Sequence, residues 1–560
     1  MKKFRPGISF ADYLVSESSR GKVRGSSEIQ LGVRLYRWLG VVVVLAMSLL
    51  IVRLLSLQLI SGSRLRVLAD ENRIRQIKLG APRGKIFDRN GRLLADNRRV
   101  IKVQADTGLT LDGWSRLYPE GLAAAHVVGY LSEINPDEVG LLGQGNNKYN
   151  LGDVIGRSGI EQQYEASLRG VDGGRLVEVD SGGKVVREMG RRSAKPGQDL
   201  HLTLDTSLQQ VAWQALNNRK GAVVASNPKT GEVLVLTSSP DEEFNRAIGG
   251  VYAPGSTFKV VTVIAALAED KLKPKYTFVD TGQITVGKFV FTNWFFTQYG
   301  RTEGETGWVK GLTRSVDTFF YKVGEYTGPE LLAKWANNLG LGVISGIDLS
   351  GEVAGLIPTP KWKEETKEEQ WFLGNTYQMA IGQSDLLVTP LQVNIMAGVI
   401  AARGEKCRPH LVNNTSRQGE LCTKVEISPE ILDIVKRGMV GACSSGGTAF
   451  PFFDWNGQTS NDSTSPSATN SGPSGSPSQY PIVACKTGTA EYVSSDGKIG
   501  THAWLTAYAP ADDPTIAITA LVEGGGEGSR AAAPIVRKVL AKYFGVEDHY
   551  NYAAVAGEGE

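Results

Sequence analysis

The sequence predicts an α+β protein in which helices cover an antiparallel sheet, placed after an extended N-terminal domain and one transmembrane helix. Three observations predict this arrangement. An apolar run occupies residues 38–60, strand-like runs occur on both sides of residues 256–440, and helical patterns dominate between those runs. A sheet whose first and last strands bracket a helical insertion is typical of the α+β class.

The composition is that of a globular protein. The chain has 560 residues, of which 41% are hydrophobic, enough to bury a large core and to form more than one domain. Its 61 basic and 58 acidic residues leave a net charge of +3. This balance gives no global field that would attract nucleic acid, so we expect no nucleic-acid partner.

The first local element is the apolar run at residues 38–60. At about 1.5 Å per residue, a helix of this length spans roughly 34 Å, which is enough to cross a bilayer. The alternative is a cleavable signal core, but such cores have only about 7–15 apolar residues. No small-residue cleavage site follows before the basic stretch 64–66. We therefore expect an uncleaved transmembrane anchor.

The residues before the anchor indicate its orientation. Basic residues outnumber acidic ones in residues 1–37, and this bias keeps the N-terminal tail in the cytoplasm. The rest of the chain then lies outside the cytoplasmic membrane. Arg53 lies within the apolar run, where a charge is costly, so it either extends toward the interface or faces a partner helix.

Composition divides the remaining chain into three parts. Residues 61–200 are rich in Arg, Gly and Asp, with short strand-like runs and no long apolar helix, which predicts a small extended pedestal domain. Residues 201–545 form the main domain, and residues 546–560 form a C-terminal tail. Within the main domain, residues 455–480 are mostly Ser, Gly, Pro and Asn, which predicts a mobile surface loop.

The main domain begins and ends with strand-like runs. HLTLDTSLQQVAWQAL predicts a strand leading into an amphipathic helix, and GAVVASNPKTGEVLVLTSS predicts two strands joined by a turn. Near the other end, PIVACKTGTAEYV, THAWLTAYAP and PTIAITALVEGG predict three strands, and AAAPIVRKVLAKYF predicts a helix. Between these groups, the stretch 260–268 is hydrophobic all round, which is typical of a helix buried at the centre of a domain.

Ser256 and Lys259 stand at the start of that buried helix. A serine hydroxyl is a weak nucleophile until a base removes its proton, and a lysine three residues later lies one turn away on the same face. The lysine must be neutral near pH 7, which requires burial and a second cation, for which Lys486 is the candidate. The spacing alone is a weak signal, because about two such matches arise by chance in a chain of this length.

Three motifs in order strengthen this interpretation: YAPGSTFK, SVDTFFY and KTGTA. Together they resemble the three motifs of penicillin-binding transpeptidases and serine β-lactamases. The resemblance implies that Ser256 is the nucleophile, Lys259 is its base, and Ser315 relays a proton toward the leaving group. The middle motif most often has Asn where this chain has Asp317. Because an ionised carboxylate only accepts hydrogen bonds, we expect Asp317 to order the two lysines.

The resemblance also assigns roles to the last motif. It implies that Lys486 helps to bind the terminal carboxylate of the substrate and sets the local field. The hydroxyls of Thr487 and Thr489 would assist, and Gly488 would let the strand come close. The backbone N–H groups of Ser256 and Thr489 would hold the oxyanion that forms on attack.

We expect no metal and no other cofactor. The five histidines are scattered singly along the chain, which is typical of structural residues. Some relatives have a zinc site between the first two motifs, but residues 270–315 contain neither His nor Cys.

The cysteines lie in the outward part of the chain, where disulfides are permitted. They are Cys407, Cys422, Cys443 and Cys485. Four thiols allow three pairings, and the spacing selects none of them. Cys485 stands where the family usually has Gly. Because Cys485 is next to Lys486, a disulfide between Cys485 and another cysteine would lie beside the predicted site. A second departure is Ser384, which replaces a usual Gly.

Longer stretches indicate the branch of the family. APRGKIFDRNGRLLADN, GRSGIEQQYEASLRG and MAIGQSDLLVTPLQ resemble class B penicillin-binding proteins, and WFLGNTYQMAIGQ is most similar to the elongation-type penicillin-binding protein 2 branch. The resemblance implies a peptidoglycan D,D-transpeptidase that cross-links stem peptides ending in D-Ala-D-Ala. It also implies β-lactams as covalent inhibitors and a SEDS-family glycosyltransferase as membrane partner, with Arg53 as a candidate contact.

Several alternatives stay open at this point. A division-type class B transpeptidase would carry the same motifs. A D,D-carboxypeptidase or β-lactamase would resolve the acyl-enzyme with water, although the long anchored architecture disfavours it. A silent scaffold or β-lactam sensor would keep the fold, although the intact Ser256, Lys259 and Lys486 disfavour it. The bifunctional class A is disfavoured because residues 61–200 are too few for a glycosyltransferase domain.

Overall fold

The computed structural model describes most of the chain. The described residues are 28–103, 110–142, 149–180, 182–240, 244–413, 422–457, 480–494 and 497–552. Three expectations fall wholly or mainly outside them: the N-terminal tail up to residue 27, the loop from residue 458 to 479, and the C-terminal tail from residue 553.

The α-helices are numbered here in chain order. They are α1 Glu28–Leu55, α2 Gly62–Arg73, α3 Ala125–Val128, α4 Pro136–Leu142, α5 Gly159–Gln163, α6 Glu165–Leu168, α7 Thr206–Leu216, α8 Lys259–Ala268, α9 Trp294–Tyr299, α10 Trp308–Arg314, α11 Asp317–Thr327, α12 Pro329–Asn338, α13 Pro360–Lys367, α14 Leu373–Ala380, α15 Pro390–Ala401, α16 Pro429–Ala442, α17 Phe453–Gly457, α18 Gly528–Ala531 and α19 Ala533–Phe544. A π-helical turn and several 3-10 turns complete the helical segments: Ser56–Ile60, Gly121–Ala124, Gly255–Phe258 and Phe450–Phe452.

The strands are numbered in the same way. They are β1 Ile74–Leu79, β2 Ile86–Phe87, β3 Leu93–Val103, β4 Thr110–Leu117, β5 Leu131–Glu133, β6 Val154–Gly156, β7 Gly173–Val179, β8 Val185–Arg192, β9 Leu200–His201, β10 Gly221–Ser226, β11 Val233–Ser239, β12 Thr277–Asp280, β13 Gln283–Val286, β14 Phe289–Thr292, β15 Gly304–Gly307, β16 Glu405–Cys407, β17 Cys422–Lys424, β18 Ala484–Val493, β19 Ile499–Ala509 and β20 Ile516–Val522.

The apolar run forms one long helix, as the sequence predicts. Helix α1 continues into the π-helical turn Ser56–Ile60, and the stretch Arg34–Ile60 has 27 residues with a mean hydropathy of 2.5. Within the described residues it is the one helix long and apolar enough to cross a membrane. By length and composition this helix fits a single-pass membrane anchor.

The contacts divide the chain into two units. Among the described residues, the first unit contains 28–77, 175–180 and 182–191. Strands β1, β7 and β8 pair in that order, and Glu178 on β7 forms ion pairs with Arg73 and Arg187 within this unit.

The second unit begins with a four-stranded sheet of order β4-β3-β2-β9 and the pair β5-β6. Near these strands, the carboxylate of Glu161 is fully buried between two guanidinium groups. It accepts hydrogen bonds from Arg83 at 2.6 Å and from Arg116 at 2.7 Å. A buried charge needs such partners, so this ion triad fixes α5 in place.

The main sheet of the second unit has five antiparallel strands in the order β11-β10-β20-β19-β18. Its first two strands come from one end of the domain sequence and its last three from the other end. The predicted α+β architecture is therefore confirmed. One face packs against α7 and α19, and the other face packs against the core that contains α8 and α11. Strand β18 is at the edge of the sheet.

Helix α8 lies at the centre of the domain. Every residue from Lys259 to Leu267 is buried, in agreement with a stretch that is hydrophobic all round. The insertion between the strand groups is mainly helical, as predicted, but it also contains three two-stranded sheets: β12-β15, β13-β14 and β16-β17. The sequence analysis did not anticipate these short strands.

Candidate active site

Ser256 lies in the 3-10 turn Gly255–Phe258, which leads directly into α8. Gly255 has a φ of +55°, and a Cβ atom there would lie 2.6 Å from the carbonyl oxygen of Thr489. Only glycine permits this conformation and this approach. The turn is thereby held against β18, and Ser256 is partly exposed while its neighbours in the turn are buried.

The sheet supports the same turn from a second direction. The indole N–H of Trp504 on β19 donates to the carbonyl oxygen of Ala253 at 3.0 Å. A Cβ atom on Gly488 would lie 2.9 Å from the carbonyl oxygen of Pro254 and 3.0 Å from the Thr257 methyl carbon. The expected close approach of β18 at Gly488 is therefore present.

Lys259 is the first residue of α8, and its side chain is fully buried. Its amine donates to the carbonyl oxygen of Ser315 at 2.8 Å, to the Ser315 hydroxyl at 3.0 Å and to Asp317 Oδ1 at 2.5 Å. An ammonium has three hydrogens, so these three acceptors satisfy all of them. Both polar residues at the start of the middle motif, Ser315 and Asp317, thus bind the amine of Lys259.

Ser315 connects the two lysines. It lies between α10 and α11 with a φ of +55°, which is unusual for a residue other than glycine and indicates that the surroundings impose this conformation. Its hydroxyl oxygen is 3.0 Å from the amine of Lys259 and 3.0 Å from the amine of Lys486. The structure therefore brings the second and third motifs together at one oxygen atom.

Lys486 points from β18 into this cluster and is fully buried. Its amine also donates to the carbonyl oxygen of Thr487 at 3.0 Å. The five-stranded sheet fixes its position, because Lys486 pairs with Thr506 on β19.

Burial and mutual repulsion set the charge of the two amines. Burial lowers the pKa of Lys259, while the negative charge of Asp317 opposes this change. Burial also lowers the pKa of Lys486 well below its usual value, and the positive charge of Lys259 adds to the effect. The sequence predicts that the charge of Lys486 lowers the pKa of Lys259. In the structure, the charge of Lys259 lowers the pKa of Lys486 instead. Two neighbouring amines in one buried site favour a state in which one of them is neutral.

Asp317 holds Lys259 directly. Its Oδ1 accepts from Lys259, and its Oδ2 accepts from the backbone N–H of Trp294 at 2.9 Å. Its own N–H donates to Asn293 Oδ1 at 3.1 Å. Asp317 acts on Lys486 through its charge, which raises the pKa of that amine. Its hydrogen bond to a lysine, within the described residues, goes to Lys259 alone.

A polar network behind Asp317 was not found from the sequence. The amide group of Asn293 donates to Asp280 Oδ2 at 3.0 Å, and Asp280 Oδ1 accepts from the Thr318 hydroxyl at 2.6 Å. Asn293, Asp280 and Thr318 are all buried. These residues fix the start of α11 and hence the carboxylate of Asp317, but nothing in their spacing marks them in the sequence.

Gln383 also lies at the site. It belongs to the stretch MAIGQSDLLVTPLQ, but no role for it was predicted from the sequence. Its side-chain amide donates to the carbonyl oxygen of Thr489 at 3.2 Å and accepts from the N–H of Glu491 at 3.1 Å. Both backbone groups lie on the free edge of β18. The N–H and C=O groups of one strand residue point the same way, so the Thr489 N–H also faces this edge.

The remaining site residues surround Ser256 and the free edge of β18. The Thr487 hydroxyl lies 2.7 Å from the hydroxyl of Thr448. Within the described part of the chain, the Ser256 hydroxyl forms no hydrogen bond, to Lys259 or to any other residue. The site therefore combines the partly exposed hydroxyl of Ser256, two buried amines, the bridging hydroxyl of Ser315 and the edge of β18 that the Thr489 N–H faces.

Two family models match the chain after the apolar helix. The penicillin-binding protein transpeptidase domain matches residues 221–541, more than half of the chain. The chain belongs to the penicillin-binding protein transpeptidase family. The penicillin-binding protein dimerisation domain matches residues 107–202, which overlap the stretch 61–200 that the sequence predicts to form the pedestal.

Individual relatives of this penicillin-binding protein cover nearly its whole length. It is similar to the peptidoglycan D,D-transpeptidase MrdA of Haemophilus influenzae, with 28% identity over 90% of each chain. Among solved structures, it is similar to penicillin-binding protein 2 of Pseudomonas aeruginosa in complex with WCK 5153, with a TM-score of 0.67, 28% identity and coverage of 84% and 96% of the two chains. A chain of a peptidoglycan synthase complex that coordinates polymerisation and cross-linking gives a TM-score of 0.69 and 28% identity, with coverage of 92% and 99%.

Proposed function

We propose that this protein is an elongation-type peptidoglycan D,D-transpeptidase that cross-links stem peptides through an acyl-enzyme on Ser256. The observation that carries the proposal is the convergence of two buried amines, Lys259 and Lys486, on the hydroxyl of Ser315 beside the turn that presents Ser256. The relatives named MrdA and penicillin-binding protein 2 support the same reaction and the elongation role.

In the proposed first step, the neutral amine of Lys259 takes the proton of the Ser256 hydroxyl as its oxygen attacks the carbonyl carbon of the penultimate D-Ala. The negative oxygen that forms is held by the N–H groups of Ser256 and Thr489, the second of which faces the free edge of β18. Ser315 passes a proton to the leaving nitrogen, the C–N bond breaks, and D-Ala departs. An ester on Ser256 remains.

In the second step, an amine of a neighbouring stem peptide attacks the ester and gives a proton to the lysine pair through Ser315. The ester C–O bond breaks, and Ser256 Oγ leaves with a proton from Lys259. The Thr487 and Thr489 hydroxyls and Lys486 bind the terminal carboxylate of the donor peptide before the first step. β-Lactams acylate Ser256 in the same way, because their strained amide meets the same nucleophile and the same oxyanion donors.

We also propose that the protein is anchored in the cytoplasmic membrane with its N-terminus inside and its catalytic domain outside. The excess of basic residues before the apolar helix supports this orientation. The similarity to a chain of a peptidoglycan synthase complex supports a SEDS-family glycosyltransferase as the membrane partner. Arg53, within the helix, is the candidate contact.

Labelling with a fluorescent penicillin tests the proposed nucleophile. We expect the wild-type protein to be labelled covalently, Ser256→Ala to remain unlabelled, and a control, Ser350→Ala, to be labelled like the wild type, because Ser350 is exposed and outside the site. Absence of label on the wild-type protein would contradict the proposal. Incubation with nascent glycan strands then separates the reactions, since a transpeptidase forms cross-linked products and a carboxypeptidase only shortens the stems.

A further inference from the structure

The disulfide between Cys443 and Cys485 lies directly beside the site. Cys485 precedes Lys486 on β18, and both cysteines are fully buried. The second disulfide, between Cys407 and Cys422, joins the short strands β16 and β17 instead. The proposed reaction uses neither bond.

Cys443 immediately follows α16, the helix that packs against α10. The packing is close, since a Cβ atom on Gly438 would lie 2.6 Å from the Leu312 side chain and one on Gly441 would lie 2.3 Å from the Thr313 hydroxyl. Helix α10 ends one residue before Ser315. Helix α16 therefore packs against α10, which ends just before Ser315. Cys443, at the end of α16, is also covalently joined to Cys485, the residue before Lys486.

The residues after Cys443 add two contacts between the same elements. The carbonyl oxygen of Gly446 accepts from the Arg314 guanidinium at 2.8 Å, and the Thr448 hydroxyl lies 2.7 Å from that of Thr487. Arg314 and Thr487 are the chain neighbours of Ser315 and Lys486, respectively. The segment 443–448, which we call the brace, thus contacts the third motif at Thr487 and the residue before the second motif, Arg314. The disulfide joins the brace covalently to β18.

We propose that the Cys443–Cys485 disulfide is a positioning element of the active site, which fixes the distance between Lys486 and Ser315 by joining β18 to the brace. This inference rests on the proposed function and goes beyond it, because it assigns a role in the reaction to two residues outside the three motifs. Strand β18 needs such a link because it is the edge of the sheet, paired on one side only with β19.

The consequence for catalysis follows from the repulsion between the two amines. Moving Lys486 away from Ser315 weakens this repulsion, so the lower of the two apparent pKa values of the lysine pair rises. A smaller fraction of the pair then has a neutral amine at neutral pH. A displacement of about 1 Å in a catalytic group lowers rates by up to about a hundredfold, so a loss of about tenfold or more is expected here.

The test compares the wild-type protein with Cys443→Ala/Cys485→Ala and with the matched control Cys407→Ala/Cys422→Ala. The rate of acylation by a fluorescent penicillin is measured across a range of pH. Amide hydrogen exchange is measured by mass spectrometry for the peptide that contains β18. Circular dichroism verifies folding. If the first variant does not fold, it is replaced by the Cys407→Ala/Cys422→Ala variant treated with a phosphine reductant, because Cys443–Cys485 is the disulfide that remains in that variant.

We expect the variant without the brace disulfide to acylate about tenfold or more slowly. The acidic limb of its acylation rate plotted against pH should move to higher pH. The amides of β18 should exchange hydrogen faster, while the control variant should match the wild type in both measurements. An unchanged pH profile together with unchanged exchange at β18 would overturn the inference, and so would equal changes in the control. If the wild-type protein does not label at all, the proposed function fails, and the exchange measurement still decides whether the disulfide restrains β18.

Discussion

Replacement of Asp317 by asparagine tests how the site sets the charge of its lysines. Asparagine is the residue that the family most often has at this position, and it keeps an oxygen that can accept a hydrogen bond. In this structure the carboxylate of Asp317 opposes the effect of burial on Lys259. Removal of its charge therefore lowers the pKa of Lys259 further, and the neutral amine persists to lower pH.

The expected result of Asp317→Asn is an acidic limb of β-lactam acylation that moves to lower pH. The stability cost follows from the contacts of the carboxylate, which accepts from Lys259 at 2.5 Å and from the Trp294 N–H at 2.9 Å. Asparagine keeps one of these acceptors, so the loss is about 1–3 kcal/mol. Asp317→Ala leaves the buried amine of Lys259 without a counter-charge and costs about 3–5 kcal/mol.

The assay combines pH-dependent acylation by a fluorescent penicillin with the melting temperature. In a domain of this size, about 1 kcal/mol corresponds to a shift of roughly 1–2 °C. Asp270→Asn is the control, because Asp270 forms an exposed pair with Lys273 that solvent screens, so its loss should leave the melting temperature nearly unchanged. An acidic limb of Asp317→Asn that stays in place or moves to higher pH would refute the assignment of Asp317 as the charge that opposes deprotonation of Lys259.

Two further predictions concern the approach of β18 to the nucleophile. Gly488→Ala places a methyl group 2.9 Å from a backbone carbonyl oxygen of the turn before Ser256, so we expect at least about a hundredfold slower acylation with a smaller effect on folding, measured as rate against melting temperature. Gln383→Ala removes two hydrogen bonds at the free edge of β18, so we expect faster hydrogen exchange at Thr489 and Glu491 and about tenfold slower acylation. Retained wild-type rates in either variant would contradict these roles.

The main architecture was predictable because its signals are local. The strands β10, β11 and β20 are apolar runs and α8 is apolar on every face, so each could be recognised without its neighbours. Strands β18 and β19 are more polar, and they could be recognised as strand-like runs separated by Gly, Asp and Pro residues. The order of the strands in the sheet was not predicted, because the runs themselves do not specify which strands pair. The short strands β12 to β15 were missed because a run of four residues is too short to show a clear period.

The details of the site were less predictable because they depend on tertiary contacts. No local signal shows that Ser315 adopts a positive φ, a conformation that costs serine free energy and is imposed by the surrounding contacts. The link from Asn293 to Asp280 joins residues whose proximity depends on how β12 and α9 fold back on each other. The pairing of Cys443 with Cys485 was one of three possibilities, and only the packing of α16 beside β18 selects it.

The hydrogen-bond geometry also explains how an aspartate suits a site with two lysines. Two amines and one carboxylate carry no net charge when one amine is protonated, and burial favours this neutral state over a charged one. Lys259 has three acceptors, which suits an ammonium. A neutral Lys486 donates to the Thr487 carbonyl oxygen, and its lone pair can accept the hydrogen of the Ser315 hydroxyl.

Ser315 Oγ lies 3.0 Å from both amines, so its hydroxyl can accept a proton from Lys259 while it gives its own proton to Lys486. This exchange leaves Lys259 neutral beside Ser256 and Lys486 charged where the substrate carboxylate is proposed to bind. Arrival of that carboxylate would itself favour the exchange, since a negative charge stabilises the protonated form of Lys486. Substrate binding and activation of Ser256 are then coupled through one hydroxyl group, and this coupling requires the distance between β18 and Ser315 to be fixed.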